Sequence, residues 1–184
     1  MASADEYRRR IQQCGWTELE TLWEGIKNGT TSDSDWEAGK ALEYVVVRAF
    51  ELDTAEVRWP YSVREQGQEI EQIDGVVYTE GLACLLECKD YDDAVTIEPV
   101  AKLRNQLLRR PAATIGVIVS RNGFTEPAVI LARYVAPQAI ILWDGDDLAR
   151  AINHRRIRTY LVQKYRYLVE HSLPNYSIAV EDIP

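Results

Sequence analysis

Glu87, Cys88 and Lys89 close the apolar run Leu82-Ala83-Cys84-Leu85-Leu86, and Ile73-Asp74-Gly75 leads into another run, Val76-Val77-Tyr78, shortly before it. A strand repeats every two residues, so Glu87 and Lys89 project from one face while Cys88 points to the other. An unbroken apolar run reads as a strand buried on both faces, where a carboxylate and an ammonium at the tip are costly without a function. A neighbouring strand that starts at Asp74 would bring a second carboxylate to the same edge. Two carboxylates are hard oxygen ligands for Mg²⁺, and a lysine beside them supplies a cation. Hydrolysis of a phosphodiester by a metal-activated water requires that set. A plainer reading makes Asp74-Gly75 a hairpin turn and Glu87 and Lys89 a solvated strand end.

A further carboxylate lies upstream. The segment from Asp35 to Glu51 has the spacing of a helix: Ser34 or Asp35 can cap it, and Leu42, Val45, Val46, Ala49 and Phe50 recur at helical intervals. Its polar side carries Glu37, Lys40, Tyr44, Arg48 and Glu51. Glu43 falls instead in the stripe Trp36, Gly39, Val46, Val47 and Phe50, which should face the core. A carboxylate there must be paired or bind a metal, unless it reaches solvent from the margin of the stripe.

Asp74 followed by Glu87-x-Lys89 resembles the PD-(D/E)XK nuclease superfamily, with Ile73 standing where the signature has Pro. Downstream, Thr114 to Ser120 reads as a buried strand and Arg121-Asn-Gly-Phe-Thr125 as a loop. A helix follows from near Glu126-Pro127, then a strand from Ala139 to Trp143. Asp144-Gly-Asp-Asp147 caps a helix expected to start at Leu148. This order is similar to the second half of the Mrr-like nuclease domain, so the resemblance covers residues 34 to 152.

The resemblance implies an α/β fold, a restriction-endonuclease-like αβββαβ core with a mixed central sheet flanked by helices. It also implies a Mg²⁺-dependent DNA endonuclease, with Mn²⁺ as a substitute, expected in restriction or defence. Asp74, Glu87 and the Cys88 backbone carbonyl would hold the metal. Lys89 would orient the attacking water and stabilise charge developing on the phosphate. Glu43 corresponds to a Glu on the first core helix of Mrr enzymes and would complete the site, on a second metal or through water. The helix after the Glu-x-Lys strand often carries a Lys or Gln that reaches the site in this family. Lys102 and Gln106, one turn apart on a helix from about Ile97 to Arg109, match that role. With Arg109 they are the candidate nucleic-acid contacts.

Composition sets limits. At 184 residues and 46% apolar content the chain suits one domain with a substantial core. No apolar run has membrane-spanning length, and the amino-terminal residues lack the apolar centre of a signal peptide. The 3 cysteines argue for a reducing cytoplasm, and they cannot supply the four ligands of an iron–sulfur cluster. Cys84 and Cys88 share a strand face and read as small core residues. The net charge of −8 argues against a freestanding DNA-binding surface. Acid gathers at Asp90, Asp92, Asp93 and Glu98. Basic residues gather at Lys102, Arg104, Arg109 and Arg110, and again at Arg150, His154, Arg155, Arg156, Arg158, Lys164 and Arg166; either group could be a solvated helix face.

Residues 1–33 form a helical extension with two short helices around Gly15, residues 34–152 the core, and residues 153–184 a helical extension and tail. The stripe Ile157, Tyr160, Leu161, Tyr165 and Leu168 is either core packing or the seam of a homodimer, since cutting both strands of a duplex generally needs two active sites. The acidic balance also admits a catalytically silent nuclease-like module for protein binding or oligomer assembly, and an RNA nuclease is equally compatible.

Overall fold

The protein is seen in a computed structural model that describes residues 4–31, 36–37, 39–134 and 137–178. Helices α1 (Ala4–Gln12), α2 (Trp16–Lys27) and α3 (Lys40–Leu52) precede β1 (Glu56–Arg58), β2 (Tyr61–Glu65), β3 (Gln68–Ile73), β4 (Gly75–Thr79) and β5 (Leu82–Lys89). Then follow α4 (Ile97–Leu107), β6 (Thr114–Ser120), α5 (Glu126–Arg133), β7 (Ile140–Trp143), α6 (Gly145–Asn153) and α7 (Ile157–His171). The central sheet has five strands in the order β1-β4-β5-β6-β7, antiparallel from β1 to β5 and parallel from β5 to β7. This is the expected mixed sheet of an αβββαβ core, extended by α5 and β7. The β2–β3 ribbon, a separate antiparallel pair, was not expected from the sequence.

Each face of the sheet has its own apolar layer. Cys84, Leu86 and Cys88 of β5 and Val117 and Val119 of β6 turn toward α1, α2, α3, α6 and α7. Leu85 of β5 and Ile118 of β6 turn toward α4 and α5. The strand alternation expected around Glu87 is thereby realised, and both cysteines are buried on the same face of β5, in the larger layer. Leu19, Trp23 and Ile26 of α2 and Ile157, Tyr160 and Leu161 of α7 are fully buried in that layer, with Tyr165 and Leu168 packed at its margin. The aromatic stripe of α7 is therefore largely core packing within its own chain.

Glycine sets one critical spacing. A Cβ on Gly116, in the middle of β6, would lie 2.7 Å from Leu103 Cδ2 of α4. Its absence lets α4 sit close on the sheet.

Three sequence expectations are corrected. The first core helix begins at Lys40, not Asp35, because Gly39 takes a left-handed conformation (φ 79°) and breaks the helical run; Ser34 and Asp35 lie outside the described residues. Tyr44, expected on the polar side, is buried: its ring meets Tyr7 and Trp36 at tilted angles and Trp59 edge-on. Helix α6 starts at Gly145, one turn before Leu148, because the Asp144 side chain accepts from the Asp147 amide at 2.8 Å.

The second basic group divides: Arg150, Arg158 and Lys164 are engaged within the fold, while His154, Arg155, Arg156 and Arg166 lie on the exposed surface. Arg158 is tied to Asp53, Thr54, Thr79 and Glu80, and Arg150 to Asp147 and Ser177. Lys164 is buried against Asp147 and the Tyr176 carbonyl. Burial holds the Lys164 ammonium below the usual lysine range despite the Asp147 charge. Among the described residues no helix is long and apolar enough to cross a membrane.

Candidate active site

The β4–β5 register pairs Gly75 with Leu86, which sets Asp74 at the bend before β4 beside the end of β5. The Cys88 amide donates to Asp74 Oδ2 at 2.6 Å, so the strand edge itself fixes this carboxylate. Asp74 is no exposed hairpin turn: β3 ends at Ile73 and β4 begins at Gly75, with a single bend residue between two different sheets.

Glu87 is fully buried, on the α4 side of β5. Its Oε1 receives two ammonium groups, Lys89 at 2.6 Å and Lys102 at 2.7 Å. Lys102 stands on α4, the helix that Gly116 allows to approach, and its side chain is half exposed. Of the two candidates one turn apart, Lys102 therefore reaches the carboxylate. Gln106 is buried and donates to the Gln72 carbonyl at 3.4 Å. Arg109 pairs with Glu71, as does Arg110.

Glu43 lies on the first turn of α3, about one fifth exposed, and Lys40 donates to both its oxygens, at 2.8 and 3.1 Å. It is thus paired, as a carboxylate at this depth must be, and the lysine read from sequence as merely polar is its partner. Part of the acid after β5 is paired internally: Arg121 bonds both Asp90 and Asp92, and the Asn122 side-chain amide donates to the Tyr91 and Asp92 carbonyls. The loop after β6 thus braces the loop after β5.

Electrostatics tie these groups into one cluster. Burial, with the Glu43 and Glu87 charges adding to it, pushes the Asp74 carboxyl up to about 7 against the Cys88 amide and Lys89. Burial alone would lower Lys89, but the hydrogen bond and charge of Glu87, with Asp74 beyond, hold it above the ordinary lysine value. Lys89 is therefore a cation at neutral pH and no base. Burial, reinforced by Asp74, Glu43 and Glu87, pushes the Cys88 thiol well up, so the thiol offers neither a nucleophile nor a soft ligand.

Among the described residues, no three acidic, histidine or cysteine side chains already form a metal cage. The donor set nevertheless fits a divalent cation. Glu87 Oε2 is buried with no hydrogen-bond partner, an oxygen that an ion would satisfy. The crowding of Asp74 by Glu43 and Glu87 is relieved by added positive charge. Carboxylate oxygens suit Mg²⁺ or Mn²⁺ over softer metals.

Residues 36–152 match the family model Mrr_cat, a restriction endonuclease domain. No curated protein matches the chain. Among solved structures the chain is similar to the DNA modification-dependent restriction endonuclease AspBHI, at 17% identity over 94% of this chain and 43% of that one, with a TM-score of 0.48. It is similar to the MspJI restriction endonuclease in complex with a 27-mer oligonucleotide, at 17% identity over 97% and 40%, TM-score 0.42. It is also similar to a protein of unknown function, AF1548, at 21% identity over 55% and 56%, TM-score 0.46. The chain thus spans only 40 to 56% of the length of these structures. Since the family match covers more than half of the chain and contains Glu43, Asp74, Glu87, Lys89 and Lys102, the protein belongs to the Mrr catalytic family of restriction endonucleases.

Proposed function

We propose that the protein is a divalent-metal-dependent endonuclease that hydrolyses DNA phosphodiesters at the edge formed by Asp74, Glu87 and Lys89. The observation that carries this reading is the buried, unpartnered Glu87 Oε2, in one electrostatic cluster with the Asp74 carboxyl, which burial, with the Glu43 and Glu87 charges adding to it, pushes up to about 7. Asp74, Glu87 and the Cys88 carbonyl would hold Mg²⁺, or Mn²⁺ in its place, with Glu43 as a further ligand directly or through water. The bound ion would supply a water acidified enough to attack phosphorus, and charge to stabilise the leaving oxygen.

The chain's own residues do the rest. Glu87 keeps Lys89 charged and fixed, so its ammonium meets negative charge growing on the phosphate with little reorganisation. The Cys88 amide holds Asp74 in one rotamer. Lys102, on the exposed side of Glu87, is available to a phosphate oxygen of the approaching strand, with the exposed Arg109 just past the end of α4, while the buried Gln106 would act only by bracing the Gln72 backbone beneath it. A role in restriction or defence, and action as a homodimer on both strands, extend the same reading.

Incubation with supercoiled plasmid, linear duplex, single-stranded DNA and RNA, in Mg²⁺, Mn²⁺ and EDTA, tests it. Cleavage of DNA with either ion and none in EDTA is the expected result. Cleavage of RNA alone would reassign the substrate. A folded protein that cuts nothing would leave the silent binding module, which the acidic balance of the chain favours.

A further inference from the structure

Beside the acid cluster, between α3 and the bend at Asp74, lies a cavity of about 190 Å³ whose walls include Tyr7, Glu43, Tyr44, Trp59, Gln72 and Asp74. Two of these walls are acids of the candidate active site, so an occupant would sit directly beside a phosphodiester held there. Size narrows the occupant. An engineered cavity of about 150 Å³ holds a benzene ring, whereas drug-sized ligands take roughly 300 Å³ or more. One planar ring system fits; a base pair does not.

Chemistry narrows it further. Tyr7, Tyr44 and Trp59 give aromatic walls of the kind on which bases stack. Among the described residues the remaining polar lining is Glu37, Glu43, Asp74 and Gln72 against Lys40, whose ammonium is already engaged by both oxygens of Glu43, and the Arg8 guanidinium 5.3 Å from the centre of the Trp59 ring leaves the balance negative. That charge balance repels a phosphate and admits a neutral ring. Carboxylates and an amide oxygen accept hydrogen bonds from exocyclic amino groups, which adenine and cytosine carry and thymine lacks. The Tyr7 hydroxyl accepts from the Glu37 amide at 3.1 Å, which leaves its proton to donate to a ring acceptor. Tyr7 belongs to α1, ahead of the segment that matches the family, so this wall is a feature of the chain beyond the shared domain.

We propose that this cavity receives one unstacked, amino-bearing nucleobase of the strand whose phosphodiester lies at Asp74 and Glu87. The inference rests on the nuclease reading for the strand, while recognition of the ring depends on the cavity alone. A base inside a duplex cannot reach such a recess without leaving the stack, so an unpaired base is bound at lower cost.

Anisotropy titrations in Ca²⁺ buffer with three labelled duplexes test this: fully paired, with one bulged adenine, and with one bulged thymine. The adenine bulge is expected to bind at least about tenfold more tightly than the paired duplex, with the thymine bulge between them. A bulged 2-aminopurine should lose at least about half its fluorescence on binding, as stacked 2-aminopurine does. Gln72→Trp, placed at an exposed residue of the lining, should fill the cavity and bring the adenine bulge to the paired affinity with the melting temperature unchanged. If that variant melts early, Glu37→Trp fills the cavity from another exposed position. Equal affinities for all three duplexes, binding to none, or a bulge preference that survives the filled cavity overturns the proposal. Parallel cleavage in Mg²⁺ separates the two readings. A paired duplex that is cut with no bulge preference removes the cavity's role alone, and a bulge preference without any cleavage removes the nuclease alone.

Discussion

Lys89 and Lys102 set their ammonium groups on the same oxygen of Glu87, 2.6 and 2.7 Å away, and leave the other oxygen buried and bare. Two like charges converge there only because Glu87 separates and holds them. Their surroundings differ: Lys89 ends β5 and is mostly buried, while Lys102 reaches in from α4 and is half exposed.

The two lysines should therefore fail differently. Lys89→Ala is expected to lower single-turnover cleavage on the order of 10²–10³-fold, the cost of removing a preorganised group that stabilises transition-state charge. Its melting temperature should change little, because a strand-terminal lysine contributes little packing. Lys102→Ala, whose ammonium water can partly replace, should cost about tenfold and weaken DNA binding, with a shallower salt dependence. Equal losses in the two variants would place the lysines in one interchangeable role.

Asp74 should make the metal-free protein less stable as pH rises. Its carboxyl titrates near 7 in the fold against 3.8 in the free side chain, so between those values the native state holds a proton that the unfolded chain has released. The contribution is fully present below about pH 4 and is lost as pH climbs through 7. Thermal melts of the parent and Asp74→Asn from about pH 5 to about pH 8 check this. The variant should lack that component of the decline and be the more stable protein at the alkaline end. Since Mn²⁺ favours the ionised carboxylate, its affinity should rise with pH up to about 7 and then level.

Glu43 should reveal its place through metal-dependent stability. Millimolar Mg²⁺ or Mn²⁺ is expected to raise the melting temperature of the parent by ligand linkage. Glu43→Gln should show a smaller shift, a higher metal requirement and sharply lower cleavage. The metal-free variant should melt no lower than the parent, because relief of Asp74 offsets the lost Lys40 pair. Identical shifts in both proteins would make Glu43 a structural residue only.

Gly116 should influence chemistry from beneath the site. In Gly116→Ala the new methyl meets the side chains of Leu103 and Leu107, and because both are buried α4 is expected to shift outward and carry Lys102 away from Glu87. Overpacking of this kind costs roughly 1–3 kcal/mol. Cleavage in the folded variant should fall about as far as in Lys102→Ala, with metal affinity less affected.

Glu87-x-Lys89 could be read because a buried strand repeats every two residues and its charged tip stood against an apolar run. The end-to-end agreement of Thr114–Ser120 with β6 has the same origin. Lys102 could be placed on its helix but not at Glu87, since that contact depends on how closely α4 lies on β6, a distance no local pattern encodes. The burial of Tyr44 is not legible in its own helix because it is supplied by Tyr7, Trp36 and Trp59, residues remote in sequence or ahead of the helix. The Asp147–Lys164 pair left no periodic signal, as its members sit on two different helices. The β2–β3 ribbon gives little sequence signal because its strands are largely polar and exposed, although Gly67 after Gln66 marks the tight turn between them.

The most direct measurement is single-turnover cleavage of an end-labelled duplex by the parent and by Glu87→Gln, each shown folded by near-ultraviolet circular dichroism, in Mg²⁺, Mn²⁺ and EDTA. The neutral amide keeps the shape of the side chain but gives up the charge that binds the ion and holds Lys89 and Lys102. The parent is expected to cut with either ion and not in EDTA, and the variant to show no cleavage above background. Cleavage by Glu87→Gln at the parent's rate, or a folded parent that leaves the duplex intact with both ions, would contradict a catalytic edge built on Asp74, Glu87 and Lys89.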